Sequence, residues 1–178
     1  GRVVQAAFGR DGRTLVSVGT DGVAISWDLG TLEARFRTPA VGAKTRAVAV
    51  SPDGAVFVTG SDNWKIRTWD ARTGRLLGTV AGVKQDVFGL AFHPLGNVLF
   101  SCGRESVVQV WDVRTGRELA VLDGHEGLVM SVDVSPDGAS LATASVDKTM
   151  GAWDLGYYRK HLVGNAGMWK PTGGVGGR

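Results

Sequence analysis

The chain has 178 residues, of which 43% are hydrophobic and 21% charged, a composition typical of a globular protein. Its formal net charge of +3 comes from interspersed cations and anions, so no one-signed basic groove for nucleic acid is indicated. A single cysteine excludes an intrachain disulfide, and no apolar run reaches the roughly 18 residues that a membrane span requires.

Four similar segments follow one another along the chain at a constant interval of 42 residues. Each ends in a Trp-Asp pair, and a turn glycine and a hydroxyl residue recur at the same interval. The pairs are Trp27-Asp28, Trp69-Asp70, Trp111-Asp112 and Trp153-Asp154. The glycines are Gly12, Gly54, Gly96 and Gly138, and the hydroxyl residues are Ser17, Thr59, Ser101 and Thr143. Such a repeat indicates an array of identical structural units.

The second segment shows the pattern within one unit. Residues 46–51 predict a strand, and the Ser-Pro-Asp-Gly at 51–54 predicts a type I turn. Further strands are predicted at 55–59, 65–69 and 75–80, again separated by turn residues. Four antiparallel strands in about 40 residues form one blade of a β-propeller.

The sequence therefore predicts an all-β fold, a β-propeller of four-stranded antiparallel blades. The four blades fill residues 1–163, and a glycine-rich C-terminal tail fills 164–178. The blades are predicted at approximately 3–38, 46–80, 87–122 and 129–163.

These repeats resemble the WD-repeat (β-transducin-like) family over nearly the whole chain. In that family a His, a Ser or Thr, an Asp and the Trp form a hydrogen-bonded network within each blade. The resemblance implies structural roles for His125, Thr143, Asp147 and Trp153, and for the tryptophans of the other blades, Trp27, Trp69 and Trp111.

The second and third blades depart from the family pattern, because Val41 and Val83 stand at the position of His125. We expect these two blades to depend more on apolar packing. The resemblance also implies about seven blades, so we expect these four to belong to a larger propeller; the alternative is a closed ring of four blades. A half-ring exposes the apolar faces of its end blades, which predicts self-association.

No motif in the sequence points to catalysis. There is no metal-ligand spacing, phosphate-binding loop or nucleophile elbow, and the acidic residues mostly recur with the repeat. His93 replaces the serine of the Ser-Pro turns, so we expect it to be a solvated turn residue. The sequence predicts no enzyme, no cofactor, no metal site, no small-molecule substrate, and neither nucleic-acid nor membrane binding.

One rim of a propeller is built from the loops that enter each first strand and those that join second to third strands. Residues at these positions vary between the blades, which is where recognition is expected on a repeated scaffold. Trp64 is the sharpest candidate, since Gly22, Ser106 and Lys148 occupy its position elsewhere. The alternatives are a Trp64 packed on the next blade and a rim that is merely a mixed solvated face. The predicted partner-binding residues are Lys44, Arg46, Trp64, Lys84, Asp86, Phe88, Arg104, Glu126 and Lys148.

The sequence thus predicts a non-catalytic interaction scaffold that binds a partner protein or peptide on one propeller rim. An alternative is a regulatory or targeting WD-repeat domain of a larger multidomain enzyme, such as a signalling kinase. Because nothing in the cysteine content requires an oxidising compartment, we expect a cytoplasmic location.

Overall fold

The computed structural model describes residues 1–156 of the chain. The described residues form fifteen β-strands in four antiparallel sheets, and the predicted all-β propeller fold is confirmed. The first three sheets have four strands and the fourth has three. The expected fourth strand of the last blade and the glycine-rich tail at 164–178 lie outside the described residues.

Each sheet takes its strands in chain order, so each is one blade of consecutive strands. Blade one comprises β1 (Val3–Phe8), β2 (Thr14–Gly19), β3 (Ala24–Asp28) and β4 (Glu33–Arg37). Blade two comprises β5 (Thr45–Val50), β6 (Val56–Ser61), β7 (Ile66–Asp70) and β8 (Leu76–Val80). Blade three comprises β9 (Val87–Phe92), β10 (Val98–Gly103), β11 (Val107–Asp112) and β12 (Glu118–Asp123). Blade four comprises β13 (Val129–Val134), β14 (Ser140–Ser145) and β15 (Met150–Asp154).

The turn between the first and second strands is the same in every blade. In blade two the Gly54 N–H donates to the Ser51 carbonyl at 2.9 Å, and Gly54 has a φ of +69°. The equivalent bonds run from Gly12, Gly96 and Gly138, each of which also has a positive φ. A glycine adopts this left-handed backbone without steric cost, which explains why it recurs every 42 residues.

Neighbouring blades are held together by three apolar cores. Each core joins the face of one blade that carries the tryptophan, here called the tryptophan face, to the opposite face of the preceding blade. The opposite faces contribute Val16, Val58 and Phe100 at one repeat position, all of them fully buried. The innermost strands β1, β5, β9 and β13 contact one another in sequence and line a central cavity of about 490 Å³.

Within residues 1–156, the two ends of this arc do not share a core. On the opposite face of blade four, Ala142 and Met150 are exposed, although the residues at these positions are buried in the other blades. Met150 is 61% exposed, whereas its counterpart Ile66 is fully buried. On blade one, Leu15 and Trp27 of the tryptophan face are only half-buried. Two complementary blade faces are therefore left without a neighbouring blade in the described chain.

We expect the chain to self-associate through these open faces, and Met150→Glu to weaken the association at least tenfold. Burying an unpaired carboxylate between two blades is strongly unfavourable, and a factor of ten corresponds to about 1.4 kcal/mol. Sedimentation velocity over a range of concentrations measures the effect. Leu76→Glu, on the outermost strand of blade two, is the matched control and should associate as the wild type does. A wild-type chain that stays monomeric at all concentrations contradicts the prediction.

Candidate protein-interaction site

The hydrogen-bonded network implied for blade four is present. With the proton on Nδ1, His125 donates to Asp147 Oδ2 at 2.9 Å, and its Nε2 accepts from the Thr143 hydroxyl at 2.7 Å. The same hydroxyl oxygen accepts the Trp153 Nε1–H at 3.1 Å. A Cβ on Gly151 would collide with Thr143 and His125, so glycine at this position makes room for the network.

Asp147 anchors the outer end of this network. The Thr149 hydroxyl donates to Asp147 Oδ1 at 2.6 Å, and this bond is the main cause of a pKa well below the ordinary aspartate value. The backbone N–H groups of Thr149 and Glu126 also donate to the carboxylate and lower its pKa further. The residue therefore acts as an ionised acceptor that orders the loop around it.

The tryptophan of every other blade also reaches the predicted hydroxyl residue. Trp27 Nε1–H donates to Ser17 at 2.8 Å, Trp69 to Thr59 at 2.9 Å, and Trp111 to Ser101 at 2.8 Å. A buried indole N–H without an acceptor is costly, so this pair is the constant part of the blade.

The expected apolar packing is present in blades two and three, because Val83 is buried in an apolar core and Val41 packs against one. These blades also bury polar side chains that were not predicted from the sequence. Arg67 and Gln109 occupy the repeat position of Gly151, and both side chains are buried. Gln109 donates to Glu118 at 2.8 Å and accepts from Gln85 at 3.3 Å. Where blade four has a glycine, blades two and three therefore bury a longer polar side chain from the third strand.

In blade two the buried polar side chain is the cation Arg67. Arg67 Nη1 donates to the Ser61 hydroxyl at 3.4 Å, and desolvation lowers the pKa of its guanidinium. Ser61 Oγ also lies 3.5 Å from the Thr45 hydroxyl. Blade two is thus held by hydroxyl contacts in place of the histidine and aspartate of blade four.

His93 also differs from its sequence prediction, because it is buried, with only 1% of its surface exposed. Its Nδ1 accepts the Leu95 N–H at 3.2 Å, and its Nε2–H donates to the Gly138 carbonyl at 3.1 Å. The prediction that His93 is a solvated turn residue is therefore wrong. The neighbouring turn of blade four covers the ring, and the ring joins the two turns.

The upper rim consists of the loops before β5, β9 and β13 and the loops between second and third strands. Trp64 lies on this rim with 59% of its surface exposed, so it does not pack flat on the next blade. Its φ of +61° is left-handed, as it is at Gly22 and Lys148 at the same repeat position. Because an indole side chain disfavours this backbone and gains little packing here, the fold does not require Trp64.

The loop that carries Trp64 is held firmly to the strand entry beside it. The Asp62 N–H donates to the Lys44 carbonyl at 3.1 Å, and the Lys44 N–H donates to Asp62 Oδ1 at 3.0 Å. The Ser61 N–H closes the turn on the Lys65 carbonyl. Trp64 is therefore presented from a rigid turn.

Arg46 and Phe88 form a contact across blades two and three. The Arg46 guanidinium carbon lies 5.7 Å from the centre of the Phe88 ring, within the range of a cation–π interaction. Arg46 Nη2 also lies 3.9 Å from Asp62 Oδ2, so the cation reaches the loop of Trp64. Both side chains are half-buried, and Phe88 is not part of an apolar core of the described chain.

The remaining predicted rim residues give a surface of mixed charge. Arg104 Nη1 lies 3.4 Å from Asp86 Oδ2, so these two neutralise each other in part. Four charged side chains are exposed without an ion pair to any residue from 1 to 156. They are Lys44, Lys84, Glu126 and Lys148. Their role in binding a partner stays a prediction.

The described residues do not gather metal-binding or nucleophilic groups. Residues 1–156 hold no cluster of three or more His, Cys, Asp or Glu side chains suited to a metal ion. Burial raises the pKa of the Cys102 thiol to about 12, so it is not a thiolate near neutral pH. Residues 1–156 contain no helix that is long and apolar enough to cross a bilayer.

Comparison with known families gives three matches to one repeat. The model for "WD domain, G-beta repeat" matches residues 36–70, 74–112 and 116–154, together more than half of the chain. Each matched unit starts near the outermost strand of one blade and ends with the third strand of the next. The sequence repeat is therefore offset from the structural blade. Each repeat supplies all or part of the outermost strand of one blade and the first three strands of the next.

Comparison with curated proteins shows similarity to transducin beta-like protein 3. The human protein is 32% identical over 89 residues, which are 44% of this chain and 11% of that protein. The bovine protein is 31% identical over 83 residues, covering 41% of this chain and 10% of the relative. The rat protein is 28% identical over 98 residues, which are 48% of this chain and 12% of that protein. The matched segment thus spans about a tenth of the length of these relatives.

We expect Thr143→Val to lower the free energy of unfolding by about 2–3 kcal/mol, because it strands both the Trp153 N–H and His125. Thr59→Val in blade two strands only the Trp69 N–H and should cost about 1 kcal/mol. Urea denaturation followed by circular dichroism measures both variants. Equal losses would show that the histidine and aspartate add nothing to the tryptophan bond.

Replacing Trp64 by glycine should stabilise the protein. Trp64→Gly relieves a left-handed backbone, with an expected gain of about 1 kcal/mol in the free energy of unfolding. Lys148→Gly changes the same repeat position in blade four and should give a similar gain. Urea denaturation of the two variants is the measurement. A loss of stability confined to Trp64→Gly would assign that tryptophan a structural role.

Proposed function

Because the chain belongs to the WD-repeat family, we propose that it is a non-catalytic scaffold that binds a partner protein or peptide on its upper rim. WD-repeat domains generally mediate protein–protein interactions. The rim offers a rigid turn with an exposed aromatic, a cation–π pair and several exposed charges. This combination suits a peptide that carries an apolar side chain and at least one charged group.

The observation that carries the proposal is Trp64. It is a large aromatic, mostly exposed, in a backbone conformation for which blade one has glycine. Exposed tryptophans on a rigid surface are favoured anchors of protein interfaces, because they bury much area at little entropic cost. A side chain that costs the fold stability and contributes little packing is best explained by binding.

The use of the acidic residues supports a non-catalytic role. The carboxylates that follow the blade tryptophans accept backbone N–H groups of their own turns. Asp28 accepts from Gly30 at 2.8 Å, Asp70 from Thr73 at 2.8 Å, and Asp112 from Thr115 at 2.8 Å. These groups stabilise the third-to-fourth-strand turns, so the repeated acids serve the architecture.

Selection from a random peptide library displayed on phage tests the proposal. We expect the wild-type chain to enrich peptides whose synthetic forms bind at least tenfold more weakly to Trp64→Gly. Leu76→Ala, an exposed apolar residue on β8, is the matched control and should bind as the wild type does. Calorimetric titration gives the affinities.

Two outcomes would overturn the proposal. One is that no peptide is enriched over the unrelated background. The other is that the enriched peptides bind Trp64→Gly and the wild type equally, which would place their site away from the rim.

A further inference from the structure

A groove lies on the lower face, which is formed by the turns between first and second strands and between third and fourth strands. It has a volume of about 590 Å³ and runs between the turns of blades two and three. Its apolar lining includes Pro52, Pro94 and Leu95, and its polar lining includes Arg10, Asn97 and Arg114. This groove lies at the opposite end of the strands from the upper rim.

The turn of blade three departs from the framework at the centre of this groove. Leu95 stands at the repeat position of Asp11, Asp53 and Asp137. Each of those aspartates accepts the N–H of the residue two positions later, at 2.9 to 3.0 Å. Leu95 is 59% exposed, so blade three replaces a structural carboxylate by an apolar side chain facing solvent.

The turn of blade three forms without the carboxylate, and His93 accepts two of its hydrogen bonds, of which one is specific to this blade and one is common to all four. The Leu95 N–H donates to His93 Nδ1, and the Gly96 N–H donates to the His93 carbonyl at 2.8 Å. The backbone of the turn is therefore kept, and the leucine is not explained by folding. Leu95 does not stand alone on the surface, because Pro52 and Pro94 line the same groove and extend the apolar patch.

The charges around Leu95 favour an acidic ligand. Arg10 and Arg114 both line the groove, both are exposed, and neither has an ion pair among residues 1–156. The acid among the lining residues is Asp53, whose Oδ1 accepts the Ser51 hydroxyl at 2.6 Å and the Ala55 N–H at 3.0 Å. Asp53 is thus engaged by its own turn, while the two guanidinium groups remain open to a partner.

Asn97 adds a polar group to the same lining. Its Oδ1 is buried and has no hydrogen-bond partner in the described chain, whereas blades two and four have Ala55 and Ala139 at this position.

We propose that this groove binds an acidic peptide segment of a second protein partner, with aliphatic side chains against Leu95 and flanking carboxylates paired to Arg10 and Arg114. The site is separate from the upper rim and goes beyond the function proposed for that rim. Two guanidinium groups beside an apolar floor select a carboxylate next to an aliphatic residue over a basic or uncharged segment.

The probe is the synthetic peptide acetyl-Glu-Leu-Leu-Glu-amide, titrated into the ¹⁵N-labelled full chain and followed by NMR. We expect saturable shifts of the Leu95, Asn97 and Arg114 amides with a Kd on the order of 1 mM, as suits a short peptide. The analogue with both Glu replaced by Gln should bind at least about fivefold more weakly.

Leu95→Asp is the decisive variant, because it installs the residue that three blades already carry and should fold normally. We expect it to weaken probe binding about tenfold or more, whereas Trp64→Gly on the upper rim should bind as the wild type does. Thermal melting confirms that each variant is folded.

The proposal is overturned if millimolar probe leaves the groove amides unshifted, if the Gln analogue binds equally, or if Leu95→Asp keeps full affinity. Because Trp64→Gly leaves the groove intact, failure here is distinguishable from failure of rim binding.

Discussion

The structure depends on one constraint, which is that a small four-stranded sheet has two apolar faces and must bury both against neighbouring blades. Trp69 shows how this is done: its ring packs on the core of blade one, and its N–H is satisfied by Thr59 inside its own blade. The same tryptophan–hydroxyl pair in every blade sets the depth and orientation of the indole. The open ends of the arc follow from the same constraint.

Around this constant pair the interior of the blades varies more than the repeat suggests. His125 and Asp147 complete a network in blade four, whereas blades two and three bury Arg67 and Gln109 at a position where blade four has glycine. Each solution satisfies buried polar groups by different partners, which is the requirement that packing density and desolvation impose. A blade interior therefore tolerates substitution when volume and hydrogen bonding change together.

The same reasoning separates framework from surface. Positions that repeat every 42 residues serve turns and cores, as Asp70 and Gly54 do. Trp64 and Leu95 differ from the residues at the same repeat position in the other blades, and both are exposed. Trp64 lies on the upper rim and Leu95 on the lower face. These two departures, at opposite ends of the strands, are the basis of the two binding sites proposed above.

The fold class could be predicted from the sequence, because tryptophan, glycine and hydroxyl residues at a constant interval indicate a repeated blade. The sequence also identified the network of His125, Thr143, Asp147 and Trp153, through the family resemblance, and Trp64 as a residue outside the framework. The strands of blade two were predicted to within about two residues, since turn chemistry is local. Features that depend on a neighbouring blade could not be predicted in this way and became visible in the three-dimensional fold. The burial of His93 beneath the turn of blade four, the polar replacement at Arg67 and Gln109, and the groove around Leu95 all arise between residues distant in sequence. The periodicity of the sequence indicates on which side of a strand a residue lies. The packing of one blade on the next decides which residues it contacts on that side.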